Sequence, residues 1–152
     1  MKKTVSLVLV LSMIAVAVIG FGTAANAQTL SNAEKALALI NTFATGDADM
    51  ARSLLAEDYI QHNLAYGTGA DAFVGSVEYL ASAGVKTTVN NIRAFEDGDK
   101  VFLQTVYNFA GAGEQFAFDI FRIDENGKIA EHWDVMETIA DPSTWQNQNG
   151  KF

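Results

Sequence analysis

Two short stretches that face each other across a turn hold the groups best able to do chemistry. They are Asp119-Ile120-Phe121-Arg122 and Glu131-His132-Trp133-Asp134, joined through Asp124-Glu125-Asn126-Gly127-Lys128. Ionisable side chains set among apolar residues lose hydration, and such groups are where proton affinities move and acid/base work is done. Asn-Gly tolerates the positive φ of a tight turn, so the two stretches read as the arms of a β-hairpin. A two-residue loop at Asn126-Gly127 pairs Glu125 with Lys128, then Arg122 with Glu131, Phe121 with His132 and Asp119 with Asp134. Asp119, His132 and Asp134 then share a face. Two carboxylates so placed cannot both ionise cheaply, and one keeps its proton toward neutral pH, as a general acid or base requires. A three-residue loop through Gly127 shifts the pairing by one and turns Asp119 to the other face; His132 and Asp134 stay together either way.

The elements that must carry this hairpin follow from spacing. Ser31-Asn32-Ala33-Glu34 is a capping box, after which Leu37, Ile40, Phe43 and Ala44 recur at helical intervals up to Gly46. Asp47 caps a second, shorter helix through Leu54 and Leu55, and Tyr59-Ile60-Gln61-His62-Asn63 then leads into a glycine-containing loop. Phe73, Val74, Val77, Leu80 and Ala81 form an apolar stripe that stops by Gly84 and predicts a third helix. From Lys86 the period becomes two, with strands predicted over 87–95, 100–110, 114–123 and 128–139. Helices first and strands after predict an α+β domain, three N-terminal helices packed on a curved antiparallel sheet. Phe116, Phe118 and Ile120 alternate with Ala117, Phe121 and Ile123, so both sheet faces are apolar, and the uncovered face predicts a homodimer.

Composition bounds the rest. Lys2 and Lys3, the apolar run over 5–21 and Ala25-Asn26-Ala27 have the form of a cleavable signal peptide over 1–27, so export to the periplasm or outside is expected, with no stable membrane anchor afterwards. Cleavage leaves 28–152, enough for one domain with a real core. Loss of the two lysines takes the formal charge from −8 to −10, which disfavours nucleic acid and anionic membranes. With no cysteine in the chain there is neither a disulfide nor a lipid-bearing thiol. Only two histidines, His62 and His132, are present, and their spacing does not call for a metal. Gly111-Ala112-Gly113 reads as a turn between strands rather than a phosphate loop.

Taken together, the three helices, the meander, Tyr59-Ile60-Gln61-His62-Asn63 before the third helix, and the two hairpin stretches resemble the SnoaL-like polyketide cyclase family. That family belongs to the cone-shaped nuclear transport factor 2-like superfamily, and the resemblance runs along nearly all of 28–152, to the branch associated with aldol condensation. It implies an acid/base aspartate on the last strand, matched here by Asp134, and a pocket group on the preceding strand, matched by Asp119. His62 and Asn63 match polar residues at the pocket mouth, and His132 tunes Asp134 or donates to a forming alkoxide; Phe121, opposite His132 in the hairpin, is a candidate substrate contact. The implied reaction needs no cofactor, because a proton flanked by two carbonyls is acidic enough for a carboxylate to remove. Cyclases of this kind act beside cytosolic synthases, so a signal peptide argues for a second reading, an exported non-catalytic binder of a small hydrophobic ligand. A scaffold acting through its dimer surface is a third.

Overall fold

The computed structural model describes residues 30–152. The expected signal peptide over 1–27 lies outside these residues. Helix α1 (Asn32–Thr45) begins as its capping box requires: Ser31 accepts from the Glu34 N–H, and Glu34 accepts from the Ser31 N–H at 2.7 Å. It ends at Gly46, whose φ of 74° is the left-handed stop that glycine adopts without strain. A side chain there would also meet the Ala81 methyl at 2.8 Å, so the same glycine lets the next helices close in. Asp47 caps α2 (Ala48–Leu54) by accepting from the Met50 N–H, and α3 (Ala70–Ser82) buries Phe73, Val74 and Val77.

Among the described residues five strands form one sheet: β1 (Leu55–Gln61), β2 (Thr88–Asp97), β3 (Lys100–Asn108), β4 (Gln115–Ile123) and β5 (Ile129–Thr138), in the order β1-β5-β4-β3-β2. Strands β2 to β5 are the expected antiparallel meander. The stretch read as a lead-in to a loop is instead β1, which runs parallel to β5 and makes the sheet mixed. Its register breaks between Leu55 and Ile60, and Glu57-Asp58 sits at the break, so no alternation of apolar residues announces the strand.

The β4–β5 hairpin combines both loops weighed from sequence. Asp124 N–H reaches Lys128 C=O, and Gly127 turns at a φ of 73°, so the turn is longer than two residues. Ile123 accordingly pairs with Ile129. A bulge at Ala130 then restores the register, and Arg122 faces Glu131, Phe121 faces His132 and Asp119 faces Asp134. The shift made by the turn is cancelled before it reaches the charged residues.

One sheet face packs on the helices. Leu39 and Ile40 of α1, Leu54 of α2, Val77 of α3, and Val101, Leu103, Ala117, Phe121 and Ile129 of the sheet form a continuous core. The other face is only partly covered. Phe152, in the C-terminal tail, stacks on Phe116 at 6.1 Å, and Lys151 pairs with Glu137, but Phe95, Phe118 and Val135 stay 59%, 56% and 73% exposed.

Candidate functional site

Between the helices and the inner sheet face lies a cavity of about 470 Å³, walled mainly by aromatic and aliphatic side chains from α1, α3, β3 and β4. Its polar end is built by alternation. Residues 119 and 121 on β4 and 132 and 134 on β5 point the same way, so Asp119, Phe121, His132 and Asp134 all reach the cavity wall. Tyr107 joins them from β3 and Gln61 from β1.

Hydrogen bonds fix the direction of every group. The Asn63 backbone N–H donates to Gln61 Oε1 at 2.9 Å, so the other end of that amide is the donor. Gln61 Nε2 lies 3.0 Å from His132 Nδ1, which therefore carries a lone pair, and the ring proton sits on Nε2, 3.2 Å from Asp119 Oδ1. Tyr107 O–H donates to Asp119 Oδ2 at 2.9 Å. Asp119, 3% exposed, thus accepts one hydrogen bond on each oxygen. His132 lies flat on Phe121, with ring centres 4.3 Å apart, and is 7% exposed.

Asp134 is held differently. Ala65 N–H donates to Asn63 Oδ1, which orients that amide, and Asn63 Nδ2 donates to Asp134 Oδ1 at 2.6 Å. Asp134 Oδ2 has no hydrogen-bond partner among the described residues. Burial pushes the Asp134 carboxyl above its usual range; the neighbouring His132 and the Asn63 bond pull it back, and Asp119 adds to the rise. The same surroundings push the Tyr107 and Tyr59 hydroxyls upward, through burial first and the nearby carboxylates second.

Asp119, His132 and Asp134 offer ligand atoms within 4.8 Å of one another. A metal there needs a lone pair on His132 Nε2, which is where the Gln61-imposed tautomer places the proton. Hydrogen bonds tie His132 to Asp119 and Asp134 to Asn63, and none joins the two pairs among the described residues.

Of the residues singled out from sequence, Asp119, Phe121, His132 and Asp134 come together on the cavity wall, and Asn63 reaches them through Asp134. His62 does not. It lies on the opposite sheet face, stacked on Trp133 at 4.5 Å with Nε2 3.2 Å from Glu131, because successive residues of an extended chain point to opposite sides. Gln61 takes the place expected of His62. Gln61 and Tyr107 are the polar contributors that sequence reasoning missed: reading 59–63 as a strand would have put Tyr59, Gln61 and Asn63 on one side, and Tyr107 looks like an ordinary core aromatic. Arg122 and Glu131 form the expected cross-strand pair, 2.6 Å apart, on the outer face.

The SnoaL-like domain model matches residues 36–132 of the chain. Among solved structures, an NTF2-like protein of unknown function from Cytophaga hutchinsonii superposes with a TM-score of 0.61 at 17% identity, covering 71% of this chain and 91% of that one. An LEH-like epoxide hydrolase from M. tuberculosis gives 0.61 at 17% identity, covering 70% and 82%. The polyketide-cyclase candidate IdmH from Streptomyces antibioticus gives 0.57 at 19% identity, covering 71% and 93%. At these identities the likeness is one of fold. No curated protein matches the chain.

Proposed function

The chain belongs to the SnoaL-like domain family, and from that premise we propose that it is a cofactor-independent acid/base protein acting on a small hydrophobic carbonyl compound. One observation carries this: Asp134 is a half-buried carboxylate on an apolar cavity wall, with one oxygen tied to Asn63, the other without a protein partner, and a proton affinity raised by its surroundings. In the proposed step Asp134 takes a proton flanked by two carbonyls, leaving an enolate. The enolate carbon attacks a second carbonyl of the same molecule, and the protonated Asp134 returns its proton to the alkoxide formed. Such folding of one molecule against itself is worth most where the cavity holds the two ends together. His132 has both ring nitrogens engaged, so its role is to hold Asp119 rather than to donate to substrate. Asn63 sets the orientation of Asp134.

The test is Asp134→Asn assayed with an activated β-dicarbonyl substrate. Turnover is expected to fall by about 10²- to 10⁴-fold with ligand binding retained. Wild-type binding without turnover would leave the second reading, a non-catalytic binder. Mutual satisfaction of the buried polar groups favours that reading, since no buried side-chain N or O among the described residues lacks a partner.

The proposal extends to where and in what form the protein works. Lys2, Lys3, the apolar run and Ala25-Asn26-Ala27 support export with cleavage after Ala27, which the intact mass of the envelope-recovered protein would verify. Exposed Phe95, Phe118 and Val135 on the outer sheet face support a homodimer through that face. Sedimentation at micromolar concentration is expected to give twice the chain mass, and Phe118→Asp to give the monomer.

A further inference from the structure

The cavity's charge does not balance. Asp119 and Asp134 both line it, and among the described residues that line it none is lysine or arginine. The donors beside Asp119 are already committed: Tyr107 and His132 donate to it, and the Gln61 amide serves His132; the other polar groups of the lining, Tyr66, Tyr79 and Gln115 among them, are neutral. Even with a proton on Asp134, the polar end keeps the Asp119 charge. An enolate forming there would place a second negative charge near Asp119 with only the newly protonated Asp134 to donate to it, which is costly in a low-dielectric site.

The rest of the wall is largely aromatic. Phe43, Phe73 and Phe109 cluster at ring-centre distances of 4.9 and 5.6 Å, and Tyr107 stacks on Phe109 at 5.0 Å. Ring faces attract cations and tolerate their alkyl substituents, whereas a hydrated metal ion finds no oxygen cage among them. We infer that the cavity is built for a hydrophobic molecule carrying a positively charged nitrogen, an amine or quaternary ammonium seated between the aromatic wall and the Asp119–Asp134 end. The inference rests on the cavity being the ligand site and deepens the acid/base reading by naming the charge of its substrate: a positive nitrogen offsets both the standing carboxylate and the enolate that Asp134 would generate.

A pair of ligands alike in shape isolates the charge. Benzyltrimethylammonium and its uncharged carbon isostere neopentylbenzene are titrated into the purified protein by calorimetry, with amide NMR shifts to locate binding. The cation is expected to bind about tenfold or more tightly than the isostere, with shifts concentrated around Phe109, Phe121 and Asp134. Asp134→Asn and Asp134→Ala are each expected to weaken the cation about tenfold and leave the isostere unchanged. Equal affinity for the two ligands would overturn the inference, as would cation shifts confined to exposed acidic residues, or loss of both ligands alike in two folded Asp134 variants. Failure here is distinct from failure of the acid/base reading. Turnover of a neutral β-dicarbonyl with no preference for the cation overturns this inference alone, and cation preference in a protein without turnover upholds it while removing the acid/base step.

Discussion

His132 and His62 each lie flat on an aromatic ring and each hold Nε2 3.2 Å from a carboxylate, yet they stand on opposite faces of the same sheet. On the inner face His132, Phe121 and Asp119 are sealed from water, and every polar atom is committed to a neighbour by direction. On the outer face His62 is exposed and Trp133 and Glu131 are partly exposed, and Arg122 supplies the missing positive charge. Glu131 and the inner face's other carboxyl, Asp134, respond in opposite senses. The Arg122 hydrogen bond, with help from His62, holds Glu131 below its usual range, while burial lifts Asp134 above its own. Side-chain type and spacing are nearly the same in the two sets; dielectric surroundings and the presence of an arginine decide on which face a neighbouring carboxyl binds its proton more tightly than usual.

The sharpest way to break this contrast is to remove the acid from each set. Asp119→Ala strands Tyr107 O–H and His132 Nε2–H in the interior and is expected to cost about 3 kcal/mol in urea unfolding. Glu131→Ala is expected to cost under about 1 kcal/mol, because water replaces the lost partner. Equal losses would mean that the two faces are not energetically distinct.

A pH titration of stability sharpens the comparison at smaller scale. Asp134 binds its proton more tightly in the folded than in the unfolded state. Its contribution is therefore fully present below the ordinary aspartate range and is lost as pH rises from that range through its higher folded value. Asp134→Asn should remove this decline and leave the melting temperature at neutral pH higher than in wild type. Glu131 has the opposite sign: its contribution is present above the ordinary glutamate range and is lost as pH falls through its lowered folded value. Glu131→Gln should flatten only that acid limb, and by the smallest amount of the series. Melting curves over the acid-to-neutral range separate the two.

Much of this was legible in the chain. The capping box at Ser31, the left-handed stop at Gly46 and the two-residue period after Lys86 are local signals, and local signals set the helices and the meander. The pairing of Asp119 with Asp134 was also readable, though by a simpler turn than the one present. What escaped depended on distant partners. Strand β1 owes its conformation to β5, some seventy residues on, and without alternation in its own sequence it resembled a loop. Once it is a strand, parity sends His62 outward and Gln61 inward, which reverses the expected assignment. Tyr107 escaped for another reason: what distinguishes it from a core tyrosine is the carboxylate opposite its hydroxyl, and no pattern within β3 encodes that.

The bulge at Ala130 has a consequence for how the gene can change length. Eight residues separate Arg122 from Glu131, and the turn with its flanking pairs needs seven of them to bring those two opposite each other. The hairpin therefore carries one residue of slack. A single-codon deletion at Ala130 can be absorbed by straightening the strand, with Asp119 still facing Asp134. A single-codon insertion has no such reserve: it must raise a second bulge or turn His132 and Asp134 away from the cavity. Lineages of this protein should thus tolerate shortening of the turn more readily than lengthening, an asymmetry that a library of single-residue insertions and deletions across 123–130 would expose directly.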